Sequence, residues 1–291
     1  MSSTGKPLLG AIEAGGTKFV LAVGHSPTEI IARREIPTRD PATTLDEAGA
    51  WFEEQGAISA LGIGSFGPVE LDRSSANWGY ITNTPKPGWA NCDLAGFFAE
   101  RLGVPIGFDT DVNGAALAEY EYGAGKNAAS LAYITVGTGI GGGLVLDGNA
   151  VHGAAHPEMG HIFPRRHTVD RDFEGICPHH RDCLEGLACG PAIKARWGAS
   201  LSELPANHAA HEIIAYYLAQ LAHSLIAMTA VEIIVFGGGV MKTDGLLARV
   251  HQGASEIGAA YFPGGSEHKI VSPGLGQNAG LSGALLLAAE V

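Results

Sequence analysis

The most distinctive chemistry in the sequence lies in a loop that combines two cysteines with several histidines. Cys177 and Cys183 flank His179 and His180, and His161 precedes them in the chain. Two thiolates and two imidazoles complete a tetrahedral zinc site with no position left for water, as in structural zinc sites. These residues could instead be ordinary loop histidines and buried cysteines, but their clustering favours a metal. The spacing therefore predicts a structural Zn²⁺ site, with either His179 or His180 as one ligand.

Two aspartates follow an apolar strand predicted over 104–108. Asp109 and Asp111 lie directly before a predicted helix. A carboxylate at the carboxyl end of a strand is well placed to act as a general base. An aspartate just before a helix is equally common as an N-cap. The residue types alone leave both roles open for both aspartates.

Three glycine-rich turns, at 15–16, 137–143 and 237–239, each follow an apolar strand. Glycines allow backbone N–H groups to approach an anion closely, and the hydroxyls of Thr17 and Thr138 add donors. The P-loop and dinucleotide-binding patterns do not fit, because strands rather than helices follow the first two turns. The pattern favours a nucleotide held between two hairpins.

The elements that must position these groups alternate between strands and helices. A strand, glycine turn and strand over 8–23 is repeated over 131–147, which indicates two similar halves with a cleft between them. Alternation of this kind predicts an α/β protein with at least partly parallel sheets. The first helix is expected to begin at an N-cap of Thr43 or Thr44. The predicted helices cover 41–55, 92–102, 113–122, 208–230 and 280–290, the further strands cover 60–64, 104–108 and 232–236, and 151–186 is a long loop.

Polar groups in the predicted loops suit a carbohydrate. Asn83, Glu158 and Glu185 are amide and carboxylate groups of the kind that bind several sugar hydroxyls. Trp78 and Trp89 could stack on a sugar, although large aromatic residues in loops are more often hydrophobic plugs. Of the remaining candidates, Cys92 and Cys189 are expected in the core, and His152, His156 and His167 are expected to be solvated.

Composition limits the class of protein. The 291 residues carry a net charge of −12 and are 46% hydrophobic, which excludes a disordered chain. The acidic balance argues against a nucleic-acid partner. No apolar run approaches the ~20 residues of a membrane span, and the N-terminus lacks a signal core. A cytoplasmic protein of about two domains is expected.

Together these motifs resemble the ROK family of sugar kinases, within the actin-like ATPase (ribonuclease H-like) superfold, and most closely its zinc-containing bacterial fructokinases. The resemblance implies two α/β domains flanking a cleft. The smaller would comprise 1–112 joined by a C-terminal helix at about 275–291, and the larger would comprise 113–274 with the zinc loop. The segments that carry the resemblance are 12–18, 64–68, 82–85, 109–113, 135–143, 157–161, 177–185 and 275–281.

The resemblance also implies residue roles. Asp111 matches the catalytic base, which decides between it and Asp109. Glu13 stands where the family usually has Asp, and it could serve Mg²⁺ through water, while Thr110 replaces a common Asn. His161, Cys177, His180 and Cys183 match the zinc ligands. The matches to ATP-binding positions are Gly15, Gly16, Thr17, Lys18, Thr138, Gly139, Gly237 and Gly238, and the matches to sugar-binding positions are Asn83, Asp111, Glu158, His161 and Glu185.

The activity implied by the resemblance is ATP-dependent phosphorylation of a hexose 6-hydroxyl, with fructose the expected sugar. ATP, Mg²⁺ and a structural Zn²⁺ are the expected cofactors, and a homodimer is the expected assembly. Glucokinase, mannokinase, N-acetyl amino-sugar kinase and a catalytically silent sugar-binding protein are the alternatives. The DNA-binding helix-turn-helix of ROK repressors is not expected, because the first strand begins at residue 8. No nucleic-acid or membrane partner is expected.

Overall fold

The computed structural model describes residues 6–291, which divide into two compact units. Unit 1 contains the described residues up to Tyr122 together with Ala150–His156 and Gln277–Val291, and unit 2 contains Gly123–Asn149 and Pro157–Gly276. The domain boundaries predicted after residues 112 and 274 stay a prediction. Across residues 6–291, no helix combines the length and the apolar character that crossing a membrane requires.

Strands and helices alternate along the chain, as predicted for an α/β protein. The strands are β1 Leu9–Ala14, β2 Lys18–Ser26, β3 Glu29–Pro37, β4 Ala60–Ser65, β5 Tyr80–Ile81, β6 Cys92–Asp93, β7 Ile106–Thr110, β8 Ser130–Val136, β9 Ile140–Leu146, β10 Asn149–Ala150, β11 Ile233–Gly237 and β12 Lys269–Val271. The helices are α1 Pro41–Gln55, α2 Leu94–Leu102, α3 Asp111–Tyr122, α4 Leu184–Ala188, α5 Gly190–Trp197, α6 Ala210–Thr229, α7 Leu246–Gly258 and α8 Ala279–Ala289.

Unit 1 is built on a mixed sheet in the order β3-β2-β1-β4-β7. The pairs β1–β4 and β4–β7 are parallel, whereas β2 is antiparallel to both neighbours. Alternate side chains of β1 enter different cores, as the two-residue period of a strand requires. Ile12 packs with Trp51 of α1 and Phe98 of α2, whereas Ala11 packs with Leu285 of α8. The sheet is therefore covered on both faces.

Helix α8 approaches the sheet and α3 so closely that only glycine fits at the contacts. A Cβ atom on Gly62 would lie 1.8 Å from the carbonyl oxygen of Ala284. A Cβ atom on Gly283 would lie 2.2 Å from the backbone of Gly114. These contacts hold α3, which begins at Asp111, against the C-terminal helix.

Unit 2 is built on a second mixed sheet in the order β10-β9-β8-β11-β12. Strand β8 is antiparallel to β9 and parallel to β11, and β11 is parallel to β12. The long helix α6 buries one apolar side, with Ile214, Tyr217 and Leu218 fully covered. Because β8 and β11 run in the same direction, the glycine turns that follow them lie at the same edge of this sheet.

The structure confirms both predicted hairpins and differs at several local details. The N-cap of α1 is Asp40, whose Oδ1 accepts from the backbone N–H of Thr43 at 3.0 Å, so Thr43 and Thr44 were the wrong assignment. The edge strand β3 and the helices α4, α5 and α7 were not predicted. Residues in β3 alternate between exposed and partly buried, and Ile36 alone in the strand is fully buried, so its apolar signal is weak.

Candidate functional site

The four cysteine and histidine side chains that match zinc ligands come together in unit 2. The ligand atoms of His161, Cys177, His180 and Cys183 all lie within 4.8 Å of one another. The Nδ1 atoms of the two histidines are 3.3 Å apart, and the Nδ1 of His161 lies 3.4 Å from the Sγ of Cys183. The Sγ of Cys177 is 3.8 Å from His161 Nδ1 and 3.7 Å from His180 Nδ1. His180 is therefore the histidine that faces the cluster.

These separations fit a single tetrahedral metal ion. Bonds of about 2.05 Å to nitrogen and 2.3 Å to sulfur put two nitrogens ~3.3 Å apart and a nitrogen and a sulfur ~3.6 Å apart. The observed distances of 3.3 Å and 3.4–3.8 Å lie close to these values. Both cysteines are buried. The residues present thus form a site that could hold a metal such as zinc.

The cluster is assembled by two tight turns. His161 ends a one-turn 3-10 helix over Met159–His161, which packs so closely on β9 that a Cβ on Gly160 would lie 1.9 Å from the Ile140 carbonyl oxygen. Cys177 and Arg181 exchange two backbone hydrogen bonds of 2.9 and 3.2 Å, which turn the chain toward Cys183.

Burial raises the pKa of the Cys183 thiol to about 12, and the neighbouring Cys177 adds to the shift. A thiolate at this position therefore needs a cation beside it. A coordinated divalent ion supplies the required charge and deprotonates a bound thiol. The electrostatics of the cluster agree with its geometry.

Glu185 joins the metal cluster to the second glycine turn. It lies two residues after Cys183, in α4, and its Oε2 accepts from the backbone N–H of Ile140 at 2.9 Å. A Cβ on Gly139 would lie 2.6 Å from the same oxygen. Glu185 was predicted as a sugar-binding residue, and the structure places it against the turn that carries Thr138 and Gly139.

Glu158 and His161 lie at opposite ends of the same 3-10 turn. The backbone N–H of His161 donates to the Glu158 carbonyl at 3.0 Å. The Oε2 of Glu158 lies 3.9 Å from His161 Nε2, while Nδ1 of the same ring faces the cysteines. A carboxylate beside the outer nitrogen of a metal-bound histidine orients the ring and increases its basicity. The Glu158 carboxylate therefore lies beside the outer nitrogen of one histidine of the cluster.

The second and third glycine turns are adjacent in unit 2. Gly237 at the end of β11 is in register with Thr135 of β8. Gly238 has φ of +92°, and a Cβ there would lie 2.4 Å from the Val136 carbonyl oxygen. Thr138 is exposed, and Gly139 is half-buried. These turns therefore present backbone groups at one edge of the sheet.

The first glycine turn connects β1 and β2 in unit 1. The backbone N–H of Gly15 donates to the Lys18 carbonyl at 3.0 Å, and the Thr38 hydroxyl donates to the Gly15 carbonyl at 2.7 Å. Gly16 and Thr17 are exposed, so their N–H and hydroxyl groups are accessible to an anion. Lys18 Nζ forms an exposed ion pair with Glu35 at 2.9 Å. Hydrogen bonds to the carbonyl groups of Gly15 and Lys18 therefore hold the turn.

Glu13 is the penultimate residue of β1, two residues before this turn begins. Burial raises the pKa of its carboxyl group, and the charges of Lys18 and Arg33 oppose the shift. A Cβ on Gly280 of α8 would lie 2.4 Å from the Glu13 carboxyl carbon. The ionised carboxylate is therefore costly unless a cation is bound beside it.

Asp111 is the first residue of α3, and the helix is capped by its neighbour. The Thr110 hydroxyl oxygen accepts from the backbone N–H of Asn113 at 3.0 Å, which is the hydrogen bond of an N-cap. The Asp111 carboxylate accepts instead from the N–H of Val112 at 2.9 Å and is half-buried. Thr110 is therefore the N-cap of α3, rather than Asp109 or Asp111.

Sequence reasoning missed the group that surrounds Asp109. His152 is exposed to solvent, as expected, but its Nε2 also lies 2.9 Å from Asp109 Oδ2, a contact that was not predicted. His156 Nε2 accepts from the backbone N–H of Val69 at 3.2 Å. The ring of His167 lies edge-on to Tyr216 at 5.0 Å between centroids. No local pattern points to these contacts, because each joins residues that are distant in the chain.

The remaining loop residues divide into accessible and packed groups. Asn83 is exposed in unit 1. Trp89 is fully buried between Phe19 and Phe66 and donates from Nε1 to the Arg39 carbonyl at 2.9 Å, so it is a hydrophobic plug. Cys189 is buried, as expected, whereas Cys92 is only half-buried at the edge of the core.

Comparison with known proteins finds one family and several fructokinases that match nearly the whole chain. The model of the ROK family matches residues 9–291. The chain is 51% identical to the fructokinase of Zymomonas mobilis subsp. mobilis, covering 97% of each chain. It is 40% identical to the fructokinase of Streptococcus mutans, covering 98% of each.

Solved structures show the same architecture. A ROK hexokinase from Thermus thermophilus has a TM-score of 0.77 at 26% identity, covering 97% of this chain and 98% of that one. A ROK family glucokinase from Streptomyces griseus has a TM-score of 0.77 at 24% identity, covering 98% and 100%. These neighbours have the actin-like ATPase fold, which confirms the predicted fold class. The chain belongs to the ROK family.

Proposed function

We propose that the chain is an ATP-dependent fructokinase that converts fructose to fructose 6-phosphate. The observation that carries the proposal is the identity of 40–51% to fructokinases over 97–98% of the chain. Two glucokinases are less similar, with 29% identity over 94% of the chain and 31% identity over 64% of it. The difference favours fructose over glucose as the sugar.

Unit 1 supplies the proton acceptor. In this proposal Asp111 accepts the proton of the 6-hydroxyl while that oxygen bonds to the γ-phosphorus of ATP. The bond from the γ-phosphorus to the bridging oxygen breaks, and ADP leaves. Such a transfer depends mainly on positioning and electrostatic stabilisation. The Asp111 carboxylate suits the role, because Thr110 already caps the helix.

The glycine turns would bind the nucleotide. Gly15, Gly16 and Thr17 would form one phosphate-binding turn, and Thr138 and Gly139 would form another. Gly237 and Gly238 would lie beside the adenosine. Mg²⁺ bound with the phosphates neutralises their charge. Glu13 would hold that ion through water, which fits a half-buried carboxyl group whose pKa is raised by burial.

Zn²⁺ would be held by His161, Cys177, His180 and Cys183. A closed set of four such ligands has a structural role. The ion would fix Cys183 and therefore the start of α4, where Glu185 accepts from Ile140. It would also fix His161 and its partner Glu158. In this way the metal would shape the positions of Glu158, His161 and Glu185, which are proposed to bind the sugar. Asn83 is the further residue proposed to bind it.

A panel of hexoses assayed with ATP and Mg²⁺ tests the proposal. Fructose, glucose, mannose and N-acetylated amino sugars are compared by coupled ADP release, and fructose is expected to give the highest kcat/KM. Asp111→Asn should abolish turnover and retain nucleotide binding. Asp244→Asn, at an exposed aspartate of unit 2, is the matched control. Absence of fructose phosphorylation, or near-normal activity of Asp111→Asn, refutes the proposal.

A further inference from the structure

A buried carboxylate lies directly behind the start of α3. Asp109 is only 5% exposed at the end of β7. Its Oδ1 accepts from the backbone N–H of Thr110 and from the side-chain amide of Asn113, both at 2.7 Å. Its Oδ2 lies 2.9 Å from the Nε2 of His152. A buried carboxylate requires donors of this kind, and here His152 is the one that faces Oδ2.

Asp109 controls the first turn of α3 through Asn113. The side chain of Asn113 is held by Asp109, and its backbone N–H donates to the capping hydroxyl of Thr110. Asn113 is fully buried, and its Oδ1 has no hydrogen-bond partner among the described residues. Asp109 therefore orients the amide through its nitrogen, Nδ2. Asp111 lies within this turn, so its backbone position depends on the same contacts.

The His152 side chain is 40% exposed, and the chain that follows it is held by hydrogen bonds. It lies in the segment Ala150–His156 of unit 1. At the far end of the segment, His156 accepts from the backbone N–H of Val69 at 3.2 Å. A backbone hydrogen bond of 3.0 Å from Gly153 to Ala155 tightens the chain between the two histidines. The imidazole thus approaches Asp109 from an anchored segment.

The charges around the imidazole favour its protonated form. The hydrogen bond to Asp109 raises the pKa of His152, and partial burial opposes the shift. Asp109 Oδ2 from β7 is the acceptor that faces Nε2 of the ring, at 2.9 Å. The amide Nδ2 of Asn113 from α3 lies 3.2 Å from the same nitrogen but donates to Asp109 Oδ1. Glu290, directly after α8, interacts electrostatically with Asp109. Burial is the main cause that raises the pKa of Glu290, and the charge of Asp109 adds to it. A charged donor forms a stronger hydrogen bond to the carboxylate than a neutral one.

We propose that His152 is a positioning residue for phosphoryl transfer. It holds Asp109, and through Asn113 it holds the first turn of α3, so that the Asp111 carboxylate is oriented toward the hydroxyl it deprotonates. The inference rests on the proposed role of Asp111 as the base. His152 itself takes no part in the proton transfer.

Two substitutions of His152 distinguish a positioning role from an effect of side-chain volume or of misfolding. His152→Gln keeps an amide N–H that can donate to Asp109, whereas His152→Ala removes the donor. Because a misplacement of about 1 Å can cost ~100-fold in rate, His152→Ala is expected to lower kcat by about 10- to 100-fold. The KM for ATP should stay within about twofold. His152→Gln should recover kcat to within a few-fold of the wild type.

The control is His25→Ala. This histidine lies in β2 of the same unit, at the opposite end from Lys18, and its ring contacts the Pro7 carbonyl at 3.0 Å. It should leave kcat unchanged. Wild-type kcat in His152→Ala, or an equal loss in His152→Gln and His152→Ala, overturns the proposal.

A second measurement does not depend on activity. The pKa of His152, followed by NMR, should lie above that of an ordinary histidine and fall in Asp109→Asn. An unchanged pKa in that variant overturns the contact, even if the alanine variant folds poorly. If Asp111→Asn stays active, the proposed function fails while the NMR shift still stands. If Asp111→Asn is inactive but His152→Ala is not impaired, only the present inference fails.

Discussion

Substitution of Gly280 by alanine should separate stability from activity. Gly280 lies in the first turn of α8, against the carboxyl group of Glu13. A Cβ atom there would lie 2.4 Å from the carboxyl carbon and 2.5 and 2.8 Å from its two oxygens. Since carbon atoms in contact normally stay 3.5–4.0 Å apart, the carboxyl group must move by about 1 Å.

The two consequences have opposite signs. Alanine in place of a helical glycine stabilises the helix by up to ~1 kcal/mol, so Tm should be unchanged or higher. If Glu13 holds Mg²⁺ through water, a displacement of ~1 Å should lower kcat by about 100-fold, which corresponds to ~2.7 kcal/mol. Nucleotide binding without Mg²⁺ should be unaffected.

A double-mutant cycle with Glu13→Asp measures the coupling. Aspartate is one methylene shorter, so it should withdraw the carboxyl group from the new Cβ. Gly280→Ala should therefore cost much less in the Glu13→Asp background than in the wild type. The assay is kcat for fructose phosphorylation at a series of Mg²⁺ concentrations.

Gly258→Ala in α7 is the matched control, because its Cβ would meet Phe262 at an ordinary 3.6 Å. Its kcat should equal that of the wild type. Wild-type kcat in Gly280→Ala, or an equal loss in both backgrounds, refutes the placement of Glu13 as a metal-supporting group.

Three further predictions concern stability. Cys183→Ser should remove bound metal and, for an ion present at ~1,000 times its Kd, lower the stability by about 4 kcal/mol, or Tm by on the order of 10 °C. Unchanged metal content by elemental analysis contradicts the ligand assignment. Because burial raises the pKa of Glu13, its ionisation destabilises the fold as pH rises above ~4.3, the ordinary value of glutamate. Without Mg²⁺ and ATP, Glu13→Gln should therefore melt higher than the wild type at pH 7, and the difference should vanish toward pH 4; a pH-independent difference counts against this reasoning. Gly62→Ala places Cβ 1.8 Å from the Ala284 carbonyl, where backbone meets backbone. It should lower stability by about 3 kcal/mol in denaturant titration, and wild-type stability would show that α8 can shift.

Elements with a strong pattern of their own were predictable. Each predicted hairpin combines apolar runs with a glycine turn, and the α1 boundaries at 41–55 were correct. Strand β3 was missed because it is an edge strand with largely exposed charged residues such as Arg33 and Arg34. Its position is decided by pairing with β2, which no periodicity in β3 encodes.

In the candidate site too, residues close together in the chain were predictable, whereas contacts between distant residues were not. Cys177, His180 and Cys183 lie within seven residues, so their grouping is visible in the sequence. The residue types leave the choice between His179 and His180 open. The family resemblance favours His180, and the folded turn brings its ring to the cluster. The contact from His152 to Asp109 spans 43 residues and leaves no local signal.

The amino-acid sequence by itself determined the α/β class, the family, the three glycine turns and the presence of a cysteine–histidine metal cluster. Those features follow from short-range spacing and from residue types that few other roles require. Only the tertiary structure decided that Thr110 caps α3, that Asp109 is buried against His152, and that Glu13 lies against Gly280. The physical reason is that the contacts of Asp109 and Glu13 join segments of unit 1 that are distant in the chain. The cap of α3 depends on side-chain orientation, which the residue types leave open.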